Sequence, residues 1–185
     1  MYFLFSKNSE NEKSMYLWCM EFAEAKAKFI QTWGTLATQW GVNRTMAQIH
    51  ALLMISPEPL DTDTIMAELQ ISRGNANMNI RDLMDWGLVF KQLKAGERRE
   101  YFYSEKDIWK VAKQVVKERR RREIAPVLDV LEELKRVAPD SAEAAEFTKV
   151  IGNISRVAHF ADSTVSAVLK TEETWLVNQF FKIFT

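Results

Sequence analysis

The sequence predicts a mainly α-helical protein with a small β-wing: a winged helix-turn-helix set between long amphipathic helices. Three observations carry this. Between Leu60 and Tyr103, two short helical patterns joined by a turn are followed by two strand-like runs around a Gly-containing loop. On either side, apolar residues recur at spacings of three and four, as helices with one buried face require. Basic residues, finally, concentrate on the hairpin and just after it. The expected division is a long N-terminal helix over 14–41 for dimerisation, a winged domain over 44–104, and a linker helix with a C-terminal helical dimerisation region over 105–185.

Residues 1–13 end in the polar, aperiodic SKNSENEK and read as loose. From Met15 to Trp40, Met15, Trp18, Phe22, Ala25, Phe29, Trp33, Leu36 and Trp40 line one seam. So many bulky aromatics exceed what a small winged domain needs from its first helix. The seam therefore suits a helix shared with a partner subunit, the plainer alternative being core packing within one chain. Gly41-Val42-Asn43 breaks the pattern, and Thr45 or Asn43 caps the next helix, with Ile49, Leu52 and Leu53 inward and His50 packed among apolar neighbours. Pro57 and Pro59 end that helix. Asp61 is a good N-cap for a two-turn helix burying Ile65, Met66 and Leu69, and Gln70-Ile71-Ser72 is the turn.

Ser72 caps the second helix of the motif. At about 100° per residue, Ala76, Ile80, Leu83 and Gly87 fall on one inward stripe. Gly74, Met78, Arg81 and Asp85 face the other way, with Asn75 and Asn77 on the flanks. An ordinary surface helix is filled with Glu and Lys, which are better helix formers than Asn or Gly. Asn can pair with adenine and Arg with guanine in a major groove, and small residues at the helix start let the backbone approach phosphate. Asn75, Asn77, Met78 and Arg81 are therefore expected at base edges, with Ser72 and Gly74 near phosphate and Arg73 also among the DNA-binding residues. Trp86-Gly87 ends the helix, Gly87 as a left-handed C-cap residue. Leu88–Leu93 and Arg99–Tyr103 then form a hairpin around Lys94-Ala95-Gly96-Glu97. Lys94, Arg98 and Arg99 cluster at its tip and suit phosphate contacts, although basic residues at a solvated tip also serve plain solubility.

After the hairpin, Ser104-x-x-Asp107 resembles a capping box for a helix striped by Ile108, Val111, Ala112 and Val115. Lys117 to Glu123 contains no apolar residue and predicts a solvated stalk. Pro126 restarts the helix, with Val127, Leu128, Leu131 and Leu134 along one face. Beyond Pro139, Asp140-x-x-Glu143 opens a last pattern through Phe147, Ile151, Ile154, Ala158 and Ala161, continued by Val165, Leu169, Leu176 and Phe180.

Hydrophobic residues make up 47% of the 185, enough for a core, and the formal net charge is zero. Its distribution is uneven: residues 91–123 carry 12 Lys/Arg against 6 Asp/Glu, while 1–90 carry 7 against 10 and 124–185 carry 6 against 9. The excess sits where phosphates would lie. One Cys, no apolar leader and no long apolar run predict a soluble cytoplasmic protein without a disulfide framework or membrane span. His50 and His159 with Cys19 give no metal-ligand spacing. No P-loop, nucleophile elbow or dinucleotide turn is present. No enzyme, metal or cofactor is expected.

The stretch IHALLMISPEPLDTDTIMAELQISRGNANMNIRDLMDWGLV, followed by KAGERREYFYSEKDIWKV, resembles the MarR superfamily of bacterial and archaeal regulators, and within it the branch of the glycine-betaine-synthesis repressor, GbsR. The likeness covers roughly Met46 to Ile124. It implies a homodimeric repressor that binds a double-stranded DNA operator, often under a small-molecule effector; in this branch the implied ligand is choline. A quaternary ammonium is held best by aromatic faces, and Trp18, Phe22, Trp33, Trp40 and Trp109 are the raw material, unless they are only core. The competing function class is a winged-helix module that binds protein instead of DNA; the Asn and Arg front and the basic wing favour DNA.

Overall fold

The computed structural model describes residues 20–170. They form α1 (Phe22–Gln39), α2 (Arg44–Ile55), β1 (Leu60–Asp61), α3 (Thr62–Leu69), α4 (Arg73–Asp85), β2 (Val89–Leu93), β3 (Glu100–Ser104), α5 (Ile108–Arg119), a π-helical turn (Arg120–Ile124), α6 (Ala125–Leu134) and α7 (Ala142–Lys170). The architecture is mainly α with a small antiparallel wing, as the sequence predicts. The chain divides into two compact units, one running to Leu83 and resumed by Lys91–Tyr103, the other made of Met84–Phe90 and the chain from Ser104 onward. Among the described residues no helix is long and apolar enough to cross a membrane.

In the first unit the core is built by Ile49, Leu52 and Leu53 of α2, Ile65 of α3, Ala76, Ile80 and Leu83 of α4, and Phe102 of β3, all buried. Asn43 caps α2, its Oδ1 accepting from Met46 N at 3.1 Å. Between α3 and α4 the chain reverses through Gln70, which takes the left-handed conformation at φ 54. β1 is a strand that sequence patterning missed, because two residues carry no periodicity. It pairs antiparallel with β3, Leu60 opposite Phe102 and Asp61 opposite Tyr101, which gives a sheet of order β1-β3-β2.

The N-terminal helix differs from expectation. It begins at Phe22, after an extended Glu21 with ψ 140, so Met20 and Glu21 interrupt the expected run from Met15. Trp18, Leu176 and Phe180 lie outside the described residues. The buried face of α1 is Ile30 and Gly34, flanked by the half-buried Phe29, Trp33 and Ala37; Phe22, Leu36 and Trp40 are exposed. Length explains the mismatch. α2, with 12 residues, is about 18 Å long and cannot cover the roughly 27 Å of an 18-residue helix. Where the two helices meet they approach closely: a Cβ on Gly34 would stand 2.8 Å from Gln48 Cγ.

In the second unit Leu88, Val89, Val111, Leu131 and Ile151 are buried. Asp107, not Ser104, caps α5, accepting from Trp109 N at 2.9 Å. Ser104 instead ends β3 and donates to the Leu88 carbonyl at 3.1 Å. The charged run that begins in the last turn of α5 corrects the expectation of a solvated stalk. It continues the helix into the π-helical turn, and Glu118 within it is buried. Arg121 and Arg122 supply that carboxylate with donors, at 2.6 and 3.3 Å, so the charge is paired instead of hydrated. Pro126, in the first turn of α6, has no N–H to return to the preceding turn; the i to i+5 spacing of the π turn falls beside that gap. α6 packs on α7 through Leu131, Ile151 and the fully buried Ser155. The expected stripe on α7 is thus only partly inward: Phe147, Ile154, Val157 and Phe160 are exposed, as are Val127 and Val130 on α6.

Candidate nucleic-acid interface

Ten residues were expected at DNA, and all ten belong to the first unit. The helix that presents them opens as predicted: Ser72 Oγ accepts from Asn75 N at 3.3 Å, which satisfies one of the orphan donors of the first turn. Ala76, Ile80 and Leu83 anchor the inward face. The opposite face is open, with Met78 55% exposed, Arg81 exposed, and nothing within 4 Å of a Cβ built on Gly74. An open first turn suits close approach of a phosphate.

The two flanking asparagines are less accessible than the front. Asn75 and Asn77 are half-buried. Asn75 is engaged by Asn79, whose Nδ2 donates to the Asn75 Oδ1 at 2.6 Å and to its carbonyl at 2.8 Å. Asn79 itself is fully buried. Sequence reading did not single it out, although its i, i+4 spacing from Asn75 was visible. The pair fixes one side of the helix front, and Asn77, Met78 and Arg81 lie outside it.

The basic residues divide into two groups. Arg73 is ion-paired with Asp63 and Arg99 with Asp61, the latter at 2.7 Å. Asp61 is the N-cap of α3, accepting from Thr64 N at 2.8 Å and Thr64 Oγ1 at 2.6 Å. These Thr64 bonds, with Arg99 adding to them, hold its carboxyl at about 2. Arg99 stays 64% exposed, so one edge of its guanidinium faces solvent while the other ties the wing to the start of α3. This tether joins residues 38 apart in sequence, and no local pattern could announce it. Lys94 and Arg98 form the second group. Lys94 lies over the Tyr101 ring, 4.1 Å from its centroid, and Arg98 is exposed in the loop that turns at Gly96, φ 83. Among the described residues neither is ion-paired with an acid.

The aromatic set proposed for a ligand does not converge within this unit. Phe22 is 78% exposed and Trp40 62%, at opposite ends of a helix about 27 Å long. Trp33 packs instead against Phe29, at 5.7 Å between centroids, and against His50, at 6.3 Å. His50 is buried as a packed residue, and burial lowers its pKa to about 4. Trp109 belongs to the second unit, on α5, and is 39% exposed. No group of side chains among the described residues is arranged to hold a metal ion.

Residues 40–100 match the model of the MarR family. No curated protein matches the chain. A crystal structure of a transcriptional regulator is similar in fold, with a TM-score of 0.62 at 18% identity over 78% of this chain and 95% of that one. A mutant of S. aureus MepR bound to an oligodeoxyribonucleotide gives 0.38 at 16% identity, covering 80% and 97%. A MarR transcriptional regulator from Methanosarcina mazei Go1 gives 0.35 at 13%, covering 83% and 99%.

Proposed function

We propose that this chain, supported as a MarR-family winged-helix regulator, is a sequence-specific repressor that binds duplex DNA as a homodimer. The observation that carries the reading is the open front of α4, with Gly74, Met78 and Arg81 presented outward in the same compact unit as a wing carrying Lys94 and Arg98. Arg81, Asn77 and Met78 read base edges. Lys94, Arg98 and the exposed edge of Arg99 contact phosphate. A protein-binding module would need an apolar or acidic front there.

The homodimer is supported by large apolar groups that the described residues leave exposed: Phe22 and Leu36 on α1, and Phe147, Val157 and Phe160 on α7. Soluble proteins rarely expose so many large apolar groups without a partner. A two-fold dimer would set its reading helices to half-sites about 34 Å apart. Control by choline, and placement in the GbsR-like branch, rest on the sequence resemblance.

Gel shift against the DNA upstream of the protein's own gene, with sedimentation of the free protein, tests the reading. A retarded, competitor-resistant complex and a dimer at micromolar concentration are expected. Failure to retard that DNA, with no duplex enriched from a randomised pool, would remove the DNA-binding function; a well-behaved monomer would remove the dimer.

A further inference from the structure

One side of α4 carries a side-chain lock made by two residues of that helix, both in the first compact unit. Asn79 Nδ2 donates to the Asn75 backbone carbonyl at 2.8 Å and to Asn75 Oδ1 at 2.6 Å. The two bonds fix both amides in turn. A backbone carbonyl only accepts, so the Asn79 group facing it is the NH2. An NH2 only donates, so the Asn75 atom it also meets is the carbonyl oxygen. Asn79 is fully buried, and Asn75 Oδ1 is therefore drawn inward. The oxygen and the NH2 of a planar amide diverge from one carbon, which turns Asn75 Nδ2 away from Asn79. The side-chain atoms buried without a partner among the described residues are His50 Nε2 and Asn79 Oδ1, and Asn75 Nδ2 is not one of them. Half-buried Asn75 thus offers a donor to the outside while its acceptor is committed. A buried acceptor such as Asn79 Oδ1 with no partner is destabilising, so packing alone does not account for an asparagine at 79.

We propose that Asn79 is a positioning residue for base choice: by holding Asn75 Oδ1 it makes Asn75 a donor-only reader, which selects guanine over adenine at the base it faces. The proposal rests on the DNA-reading function above. A free asparagine pairs with adenine through both atoms, its NH2 donating to N7 and its oxygen accepting from the N6 amino group. With the oxygen held inward only the donation remains, and the adenine amino group beside N7 opposes an approaching NH2. Guanine presents acceptors at both N7 and O6. The same residue in the same place therefore reads one purine or the other according to the side chain one turn further along the helix. Phosphate contacts play no part in this choice, so general affinity for DNA does not depend on the lock.

The test takes a duplex that the wild-type protein selects from a randomised pool and finds the base pair whose preference Asn75→Ala abolishes. Every base pair is then placed at that position and titrated. Wild type is expected to favour guanine over adenine there by about 3- to 10-fold. Asn79→Leu keeps the branched outline of asparagine without its donor, and Asn79→Ala covers the case in which the larger group disturbs packing. In either variant the guanine-to-adenine ratio should fall to one or reverse, with affinity for a scrambled duplex unchanged. Asn79→Leu added to Asn75→Ala should change nothing further. Asn75→Asp keeps an accepting oxygen for Asn79 and replaces the outward donor with an acceptor, so it should favour adenine over guanine. A ratio that both Asn79 variants leave at the wild-type value overturns the lock. So does a wild-type preference for adenine at that pair, or an Asn75→Ala protein whose preferences are unchanged at every pair. A wild type that enriches no duplex overturns the DNA-reading function, and the lock with it.

Discussion

The wing tip and the arginine run further along the chain are both basic, and they use their charge in opposite ways. In the run, each of Arg119, Arg120, Arg121 and Arg122 is met by a carboxylate from its own compact unit, the second. Arg119 pairs with Glu123 at 3.1 Å, Arg120 with Asp162 at 2.6 Å, and Arg121 and Arg122 with Glu118 at 2.6 and 3.3 Å. In the wing, Lys94 and Arg98 meet no acid among the described residues, and Arg99 keeps 64% of its side chain in solvent while bound to Asp61. Counting charges along the sequence therefore overstates the positive surface. The excess over residues 91–123 is real, but its arginine-rich half is spent on holding helices and a buried Glu118 in place. The charges that the proposed DNA reading assigns to phosphate and base edges are those of the hairpin tip and Arg81 on α4, both exposed.

The largest expected effect bounds the conditions in which the two stretches can be compared. His50 is buried and neutral, with a pKa of about 4 against 6.5 when exposed. The unfolded chain binds the extra proton first, so stability is intact above about pH 6.5 and declines as pH falls toward 4. The loss amounts to about 3 kcal/mol across that window. Urea unfolding at pH 7 and pH 4.5 measures it, and His50→Leu should flatten the dependence. An unchanged slope in that variant would assign acid sensitivity to other groups.

Next in size is the reading helix. Arg81→Ala should weaken binding to a selected duplex by about 1–3 kcal/mol and relax preference at one base pair, with unfolding stability within about 0.5 kcal/mol of wild type. Competition binding against single-base variants of the duplex checks both. Loss of stability without loss of preference would make Arg81 structural, like the arginines after the wing.

Asp61→Ala removes a helix cap and the anchor of Arg99 together. A stability loss of about 1 kcal/mol from the cap is expected, along with faster hydrogen exchange in β1 and β3. If exchange in those strands is unaltered, the Asp61–Arg99 pair is not what holds the wing. Smallest of all is any response to choline. Following tryptophan fluorescence and duplex binding up to millimolar choline should give a shared midpoint if the GbsR-like control operates. No change in either signal would remove choline control and leave the aromatics as packing.

How much of this was legible follows from range. The helix-turn-helix, the Asp61 and Ser72 caps, the Gly87 turn and the hairpin were readable because each depends on neighbours within a few residues. The Arg99–Asp61 and Arg120–Asp162 pairs link residues 38 and 42 apart, and no local pattern distinguishes an arginine bound for phosphate from one bound for a distant carboxylate. Likewise the periodicity of α1 gave its helical state, while the residues that it buries within one chain, Ile30 and Gly34, depend on the length of α2 and not on α1 itself. Asn79 was missed at a short range that could have been read, since a buried amide one turn after Asn75 is an ordinary helix pairing.

The most direct test of the division of charge is the salt dependence of binding to one selected duplex. Wild type is compared with Lys94→Ala plus Arg98→Ala in the wing and with Arg120→Gln plus Arg121→Gln in the run. Each phosphate neutralised contributes about 0.9 to the slope of log affinity against log salt. The wing variant should lose nearly two from the slope, and the run variant should keep the wild-type slope while losing stability. A run variant that loses the slope, beside a wing variant that keeps it, would contradict the account.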